Sequence, residues 1–221
     1  MDVREALRQR KSTRAFLSTP VPPEKIERIL DAARHAPSGT NTQPWQVAVV
    51  SGARKAELQQ RMEAAFRRGE RGKMDYQYYP LKWSAPYRER RKACGLLLYS
   101  TLEIERTDRA RQQNQWAANY RAFDAPVMLL FFMDPVMETG SYFDYGMFYQ
   151  SIMLCAVAEG LATCPQAALG EYPDIVKTTL GYPDETILIC GMALGYEDTS
   201  ARVNSYRTER EPVAAFTRFF E

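Results

Sequence analysis

Arg10-Lys11-Ser12-Thr13-Arg14 packs three cations and a short hydroxyl, Ser12, into five positions. That is a good inventory for holding a phosphate: Arg offers a rigid fork of donors, Lys a point charge and Ser a compact hydroxyl. About two dozen residues later, Pro37-Ser38-Gly39-Thr40-Asn41-Thr42-Gln43-Pro44-Trp45 is polar, small and bracketed by prolines. Its donors and acceptors suit the plane of a ring. Taken alone, the pentapeptide also reads as a surface turn. No G-x-G-x-x-G and no Walker sequence accompanies it, so the usual dinucleotide and nucleoside-triphosphate cradles are absent. The single histidine, His35, cannot build a His-rich zinc site, and a Ser-His-Asp triad would have to use it. It follows the apolar positions Ile26, Ile29, Leu30 and Ala33, where the helix dipole favours a last-turn cation, so its reading is structural.

The elements that must position these residues alternate along 221 residues, enough for one ordinary α/β domain with a sizeable core. The spacing predicts helices over 2–9, 23–35 and 53–68, the second opened by Pro22-Pro23-Glu24. Trp45 to Val50 reads as a strand, Pro126 to Met133 as a buried strand, and Thr186 to Leu194 as the last clear strand. Further helices are expected near 90–104, 108–121 and 172–180. Residues 141–160 are apolar around most of a helix, which requires burial on several sides, one of them against a second subunit. Residues 69–91 hold Tyr76, Tyr78, Tyr79, Trp83 and Tyr87 in a long loop, which is functional or else packs its rings on the sheet. The arm from about 203 ends in Phe216, Phe219 and Phe220 and needs a surface to cover.

Composition narrows the classes. The net charge of +2 leaves no concentrated basic face for nucleic acid, and Arg88-Glu89-Arg90-Arg91-Lys92 reads as a solvated helix start rather than a ligand contact. Cys94, Cys155, Cys164 and Cys190 form no CxxC pair and sit among apolar neighbours, so buried free thiols are expected. No apolar signal region opens the chain and no apolar run reaches membrane-spanning length. The expected setting is reducing and cytoplasmic.

Three further segments join the phosphate segment in order and spacing: Pro37 to Trp45, Gly160-Leu161-Ala162-Thr163-Cys164-Pro165-Gln166-Ala167, and Arg207-Thr208-Glu209-Arg210-Glu211-Pro212. With them the chain resembles the FMN-dependent nitroreductase family over nearly its whole length. Trp83, Pro86-Tyr87, Arg90-Arg91, Gly95, Asn119 and Ala125-Pro126 resemble a branch that includes nitrobenzoate reductases.

The resemblance implies an α+β fold: a mixed, mainly antiparallel sheet flanked by helices, with 1–221 as one FMN-binding domain in an intertwined homodimer with FMN at the interface. It implies that Arg10, Ser12 and Arg14 hold the FMN phosphate and the flavin's polar edge, with Lys11 contributing mainly by backbone. Arg210 matches a phosphate-binding position and Arg207 is a second cation. Pro37, Ser38 and Asn41 match a segment that reaches the flavin from the other subunit. Gly39 stands where a second Ser is common and so offers no hydroxyl. Pro165, Gln166 and Ala167 match the segment above the central ring, where a backbone N–H faces the flavin N5. The implied activity passes hydride from NADH or NADPH through N5 to a nitroaromatic or related flat acceptor, with no side chain as catalyst. Tyr78, Trp83 and Tyr87 are candidates to cover the acceptor ring, with Lys82 or Arg88 pairing an anionic group on it. Two other readings stay open: an FMN-dependent oxidase or dehydrogenase of a heterocyclic intermediate, and a non-catalytic FMN-binding protein.

Overall fold

The computed structural model describes all 221 residues. Four strands, β1 (Gln46–Ser51), β2 (Val127–Met133), β3 (Ala162–Gln166) and β4 (Ile187–Gly195), form one sheet in the order β1-β2-β4-β3. All three pairings are antiparallel, with one irregularity at Phe131/Phe132. The parallel component is a single bridge, Ser12 with Thr163. It stitches the cationic pentapeptide to the edge strand β3.

The central strand β2, Val-Met-Leu-Leu-Phe-Phe-Met, is buried at every position because both faces of the sheet are covered. Leu129, Phe131 and Met133 face α2 (Pro23–Ala33) and α6 (Thr139–Ala158), through Ile29, Phe148 and Ile152. Met128, Leu130 and Phe132 face α3 (Gly52–Arg67) and α7 (Pro173–Leu180), through Leu58, Met62 and Val176. The Tyr145 hydroxyl fixes α6 to the sheet by donating to the Phe132 carbonyl at 2.6 Å and accepting from the Gln46 N–H at 2.9 Å.

The remaining helices are α1 (Val3–Gln9), α4 (Tyr87–Thr101) and α5 (Arg109–Ala117). Asp2 caps α1 and Asp108 caps α5 with their side chains, and α7 ends on Gly181 in the left-handed conformation at φ 75°. Two expectations shift. Helix α5 stops at Ala117 rather than 121 and tightens into a 3-10 segment, Ala118–Asp124, where Ala122, Phe123 and Asp124 take positive φ and turn the chain into β2. Helix α4 starts at Tyr87, so the aromatic loop ends sooner than 91.

That loop divides into two halves. Its first half is tied to the sheet: Asp75 accepts from the Leu188 N–H at 2.8 Å and pairs with the buried Lys177 at 2.9 Å. The Tyr76 hydroxyl donates to the Ile189 carbonyl at 2.9 Å. Gly72 lies so close to the Glu171 backbone that a Cβ there would stand 2.6 Å from its carbonyl oxygen. The second half, with Tyr78, Tyr79 and Trp83, leaves the sheet and leads into α4.

Helix α4 has no buried residue. This corrects the expectation for Cys94, which is exposed on it; Cys164 and Cys190 are buried, Cys155 is half-buried, and all four are free thiols. No helix is long and apolar enough to cross a membrane. Helix α6 is buried through Phe148, Ile152 and Ala156, but its opposite side carries Phe143 at 75% exposure. In the arm, Phe219 and Phe220 are 86% and 89% exposed. An isolated chain cannot cover these surfaces.

Candidate functional site

The pentapeptide is held from two sides. On the β3 side, the Thr13 N–H donates to the Thr163 carbonyl at 3.0 Å. On the arm side, the Asn204 amide does the work. Its oxygen accepts from the Arg14 N–H at 2.8 Å, and its nitrogen donates to the Ala15 and Asp198 carbonyls at 2.9 and 2.8 Å. The Arg14 guanidinium donates to the Ser12 carbonyl and the Tyr206 hydroxyl, each at 3.3 Å. Nothing in the sequence marked Asn204 or Tyr206: an Asn in a polar tail looks like an ordinary turn residue.

Electrostatics single out Arg10. Burial, then the like charges of Arg210 and Arg207, push its guanidinium below the usual arginine value, with the Cys164 thiol acting slightly the other way. Its Nε is buried without an acceptor, and so are the hydroxyls of Thr13 and Thr163. Arg207 donates to the carbonyls of Arg8 and Gln9, and Arg210 folds back on Thr208 Oγ1 at 2.7 Å. Three guanidiniums thus converge with no carboxylate among their partners. A bound dianion would supply the missing acceptors, so these residues fit a phosphate. Lys11 is different. Its ammonium is spent on Glu197 and the Asn204 carbonyl, each at 2.6 Å, which leaves only its backbone for a ligand. Beneath the segment, burial drives the Cys164 thiol up to about 11, against smaller opposing effects of Arg14, Ser12 and Arg10. It stays neutral at physiological pH and adds no anion to compete.

Beside the segment lies a cleft of about 890 Å³, a size suited to a flat cofactor with a second ring upon it. Its floor is Pro165, Gln166 and Ala167, where β3 ends, and Arg14 lines it as well. Gln166 is 4% exposed; its amide nitrogen donates to the Asn119 carbonyl at 2.9 Å, and its Oε1 is buried without a partner. Leu169 holds the turn that follows β3 against β4, so closely that a Cβ on Gly191 would stand 2.6 Å from it. The cleft's roof is α4. Arg88, Arg91 and Lys92 line the cleft at the helix start, while Gly95, Leu98 and Tyr99 line it further along. The basic run is therefore both a solvent-exposed helix start and a wall of the cleft, where the sequence favoured only the former.

Other expected residues are placed less centrally. Lys82 is exposed and does not line the cleft. Tyr87 is exposed beside Arg90, and Arg88 is taken by Glu89 at 2.7 Å. Trp83 stands one layer back, under the Arg91 guanidinium at 5.3 Å. The 37–41 loop does not line the cleft within one chain. It is nevertheless built to hold a shape: the Ser38 hydroxyl accepts from the Gln43 N–H at 2.9 Å, and the Gly39 N–H donates to Asp144 at 3.1 Å. Those contacts hold Thr40, Asn41 and Gln43 at φ of 49°, 60° and 48°, a strained conformation that persists only when its surroundings fix it.

The model of the family described as Nitroreductase matches residues 7–196. A 4-nitrobenzoate reductase from Pseudomonas putida is 38% identical over 210 residues, spanning 95% of this chain and 92% of that protein. A chloronitrobenzene nitroreductase from Comamonas testosteroni is 35% identical over 216 residues, spanning 97% and 95%. Among solved structures, an FMN and NADPH-dependent nitroreductase, NfnB from Sphigopyxis sp. strain HMH, superposes with a TM-score of 0.96 at 37% identity over the whole of both chains.

Proposed function

The chain belongs to the nitroreductase family, and we propose that it is an FMN-dependent oxidoreductase that passes electrons from NADPH or NADH to a nitroaromatic acceptor. One observation carries the reading: Arg10, Arg207 and Arg210 converge without a counter-anion at the pentapeptide, whose Arg14 lines a cleft floored by Pro165, Gln166 and Ala167. Bound FMN supplies the chemistry, a hydride relay at N5 between nicotinamide and acceptor.

The chain's own residues bind and orient. Arg10 and Arg210 hold the phosphate, with Arg207 beside them, and Ser12 and Arg14 serve the polar edge of the ring system. Gln166, anchored on Asn119, keeps the main chain at the floor from shifting, so its N–H points the same way throughout turnover. Helix α4 and Tyr79 exclude water from above the floor. Residues 1–221 act as one FMN-binding unit, and a second copy completes the site by bringing its own Pro37, Ser38, Gly39 and Asn41. The apolar residues left open on α6 and in the arm support that dimer. Four unpaired thiols suit a reducing, cytoplasmic setting.

The decisive experiment is anaerobic spectroscopy of the purified protein. A yellow protein that NADPH or NADH bleaches, and that 4-nitrobenzoate then reoxidises, is the expected result. Flavin that neither nicotinamide bleaches would replace the proposal with an oxidase or dehydrogenase reading. A protein that does not take up FMN would end both. Deleting the residues after Arg210 is expected to shift sedimentation toward monomer and to lower flavin content together. Unchanged values for both would remove the arm from the interface.

A further inference from the structure

The cleft beneath α4 is lined by five cations, Arg14, Arg88, Arg91, Lys92 and Arg106, against one carboxylate, Glu171. Glu171 is itself engaged, accepting from the Tyr120 hydroxyl at 2.5 Å. Arg14 is occupied by Ser12 and Tyr206, and Arg88 forms a two-pronged pair with Glu89 at 3.0 and 2.7 Å. Arg91, Lys92 and Arg106 have no carboxylate partner.

Of these three, Arg91 alone lies over an aromatic ring. Its guanidinium lies 5.3 Å from the centre of the Trp83 ring. Trp83 packs on Tyr79 at 5.9 Å, Tyr79 on Tyr78 at 4.6 Å, and Tyr78 on Tyr76 at 6.1 Å. Tyr76 is bolted to β4 through the Ile189 carbonyl. A ladder of four rings therefore runs from the sheet to the cleft and ends on a guanidinium. The Arg91 side chain makes no hydrogen bond or ion pair within the chain, so its N–H donors are free for a two-pronged grip on a carboxylate. Tyr79, which also lines the cleft, adds an aromatic wall next to the charge.

We propose that Arg91, held over Trp83, is the residue that selects acceptors bearing a carboxylate on the aromatic ring. The proposal rests on the flavin-site reading above. It favours an aryl carboxylate over the 2′-phosphate of NADPH because ring wall and guanidinium stand side by side, as an anion bonded directly to a ring requires. Lys92 and Arg106 raise the local potential without fixing a direction.

The test uses FMN-loaded protein with saturating NADPH and compares kcat/KM for 4-nitrobenzoate with that for nitrobenzene. Arg91→Gln is expected to lower this ratio about tenfold, mostly through KM, a discounted figure for a charge-assisted bond near solvent. Arg91→Lys should recover part of the loss, since it keeps the charge but not the fork, and Arg88→Gln should lower the ratio less. Raising ionic strength should compress the wild-type ratio toward that of Arg91→Gln. A ratio that stays within about twofold of wild type in Arg91→Gln overturns the proposal. So does a change in the preference for NADPH over NADH with the acceptor ratio intact, which would give Arg91 to the dinucleotide. Nitrobenzene turnover by the wild type keeps this outcome separate from failure of the nitroreductase reading itself.

Discussion

Arg10→Gln yields a protein that purifies largely free of flavin yet folds at least as well as the flavin-free wild type. The two halves of that result have one cause. In the folded chain the Arg10 guanidinium is partly withdrawn from water and faces Arg210 and Arg207, with a buried Nε that no protein group accepts. Its charge is a burden on the empty fold and an asset once a dianion arrives. Removing it should raise the dissociation constant for FMN by about 30-fold, the scale of one charge-assisted contact in a partly buried place. Fluorescence titration measures this directly. Riboflavin provides the control, because it lacks the phosphate: the preference of the wild type for FMN over riboflavin should collapse in the variant, while riboflavin affinity stays near its starting value. If riboflavin binding falls as steeply as FMN binding, Arg10 supports the fold rather than the phosphate. Arg210→Gln should show the same pattern. The Lys11→Gln effect on this preference should be small, since Lys11 is committed to Glu197 and Asn204.

The contrast between Arg10 and Lys11 shows how far the sequence could be read. Residue type revealed a phosphate inventory, but neighbours in a turn point different ways, and only the packing shows which cation is unpartnered. Strand β2 was legible because a run of seven apolar residues has few other fates in a folded chain. Helix α6 was legible for the same reason, and its open side followed from having more apolar surface than one chain can cover. The aromatic loop was legible as important and opaque in role. Its rings divide between sheet and cleft, and nothing in their spacing says that Tyr76 anchors while Trp83 carries Arg91. Asn204 was invisible because its value lies in three contacts made across about 190 residues of sequence and one local loop.

Asn204→Ala is expected to be among the most damaging single substitutions outside the core. The side chain is 4% exposed and all its near partners are backbone: the Arg14 N–H and the Ala15 and Asp198 carbonyls. Truncation leaves a donor and two acceptors unpaired where water enters poorly. Each orphaned group costs about 1–3 kcal/mol, so the loss should be about 3 kcal/mol after partial rehydration. For a chain of this size that corresponds to roughly 10 °C in Tm. The damage should also reach the site, because the clamp that sets Arg14 is the one that joins the arm to the pentapeptide. FMN affinity should therefore fall along with stability, unlike the Arg10 case, where only affinity falls. Asn204→Asp separates geometry from charge. It keeps the acceptor for Arg14 but turns a donor into a carboxylate oxygen facing two carbonyls. Burial and those carbonyls would raise that carboxyl's pKa above its unfolded value. The protonated form would then be favoured in the fold, and the variant's deficit relative to wild type should be smallest in acid and grow as pH rises through the unfolded carboxyl range and levels off above the raised value. Melting curves of wild type, Asn204→Ala and Asn204→Asp between about pH 4 and 8 measure this. A deficit in Asn204→Asp that does not change with pH would mean that the amide donor faces water, and that the arm is held to the phosphate segment by something other than Asn204.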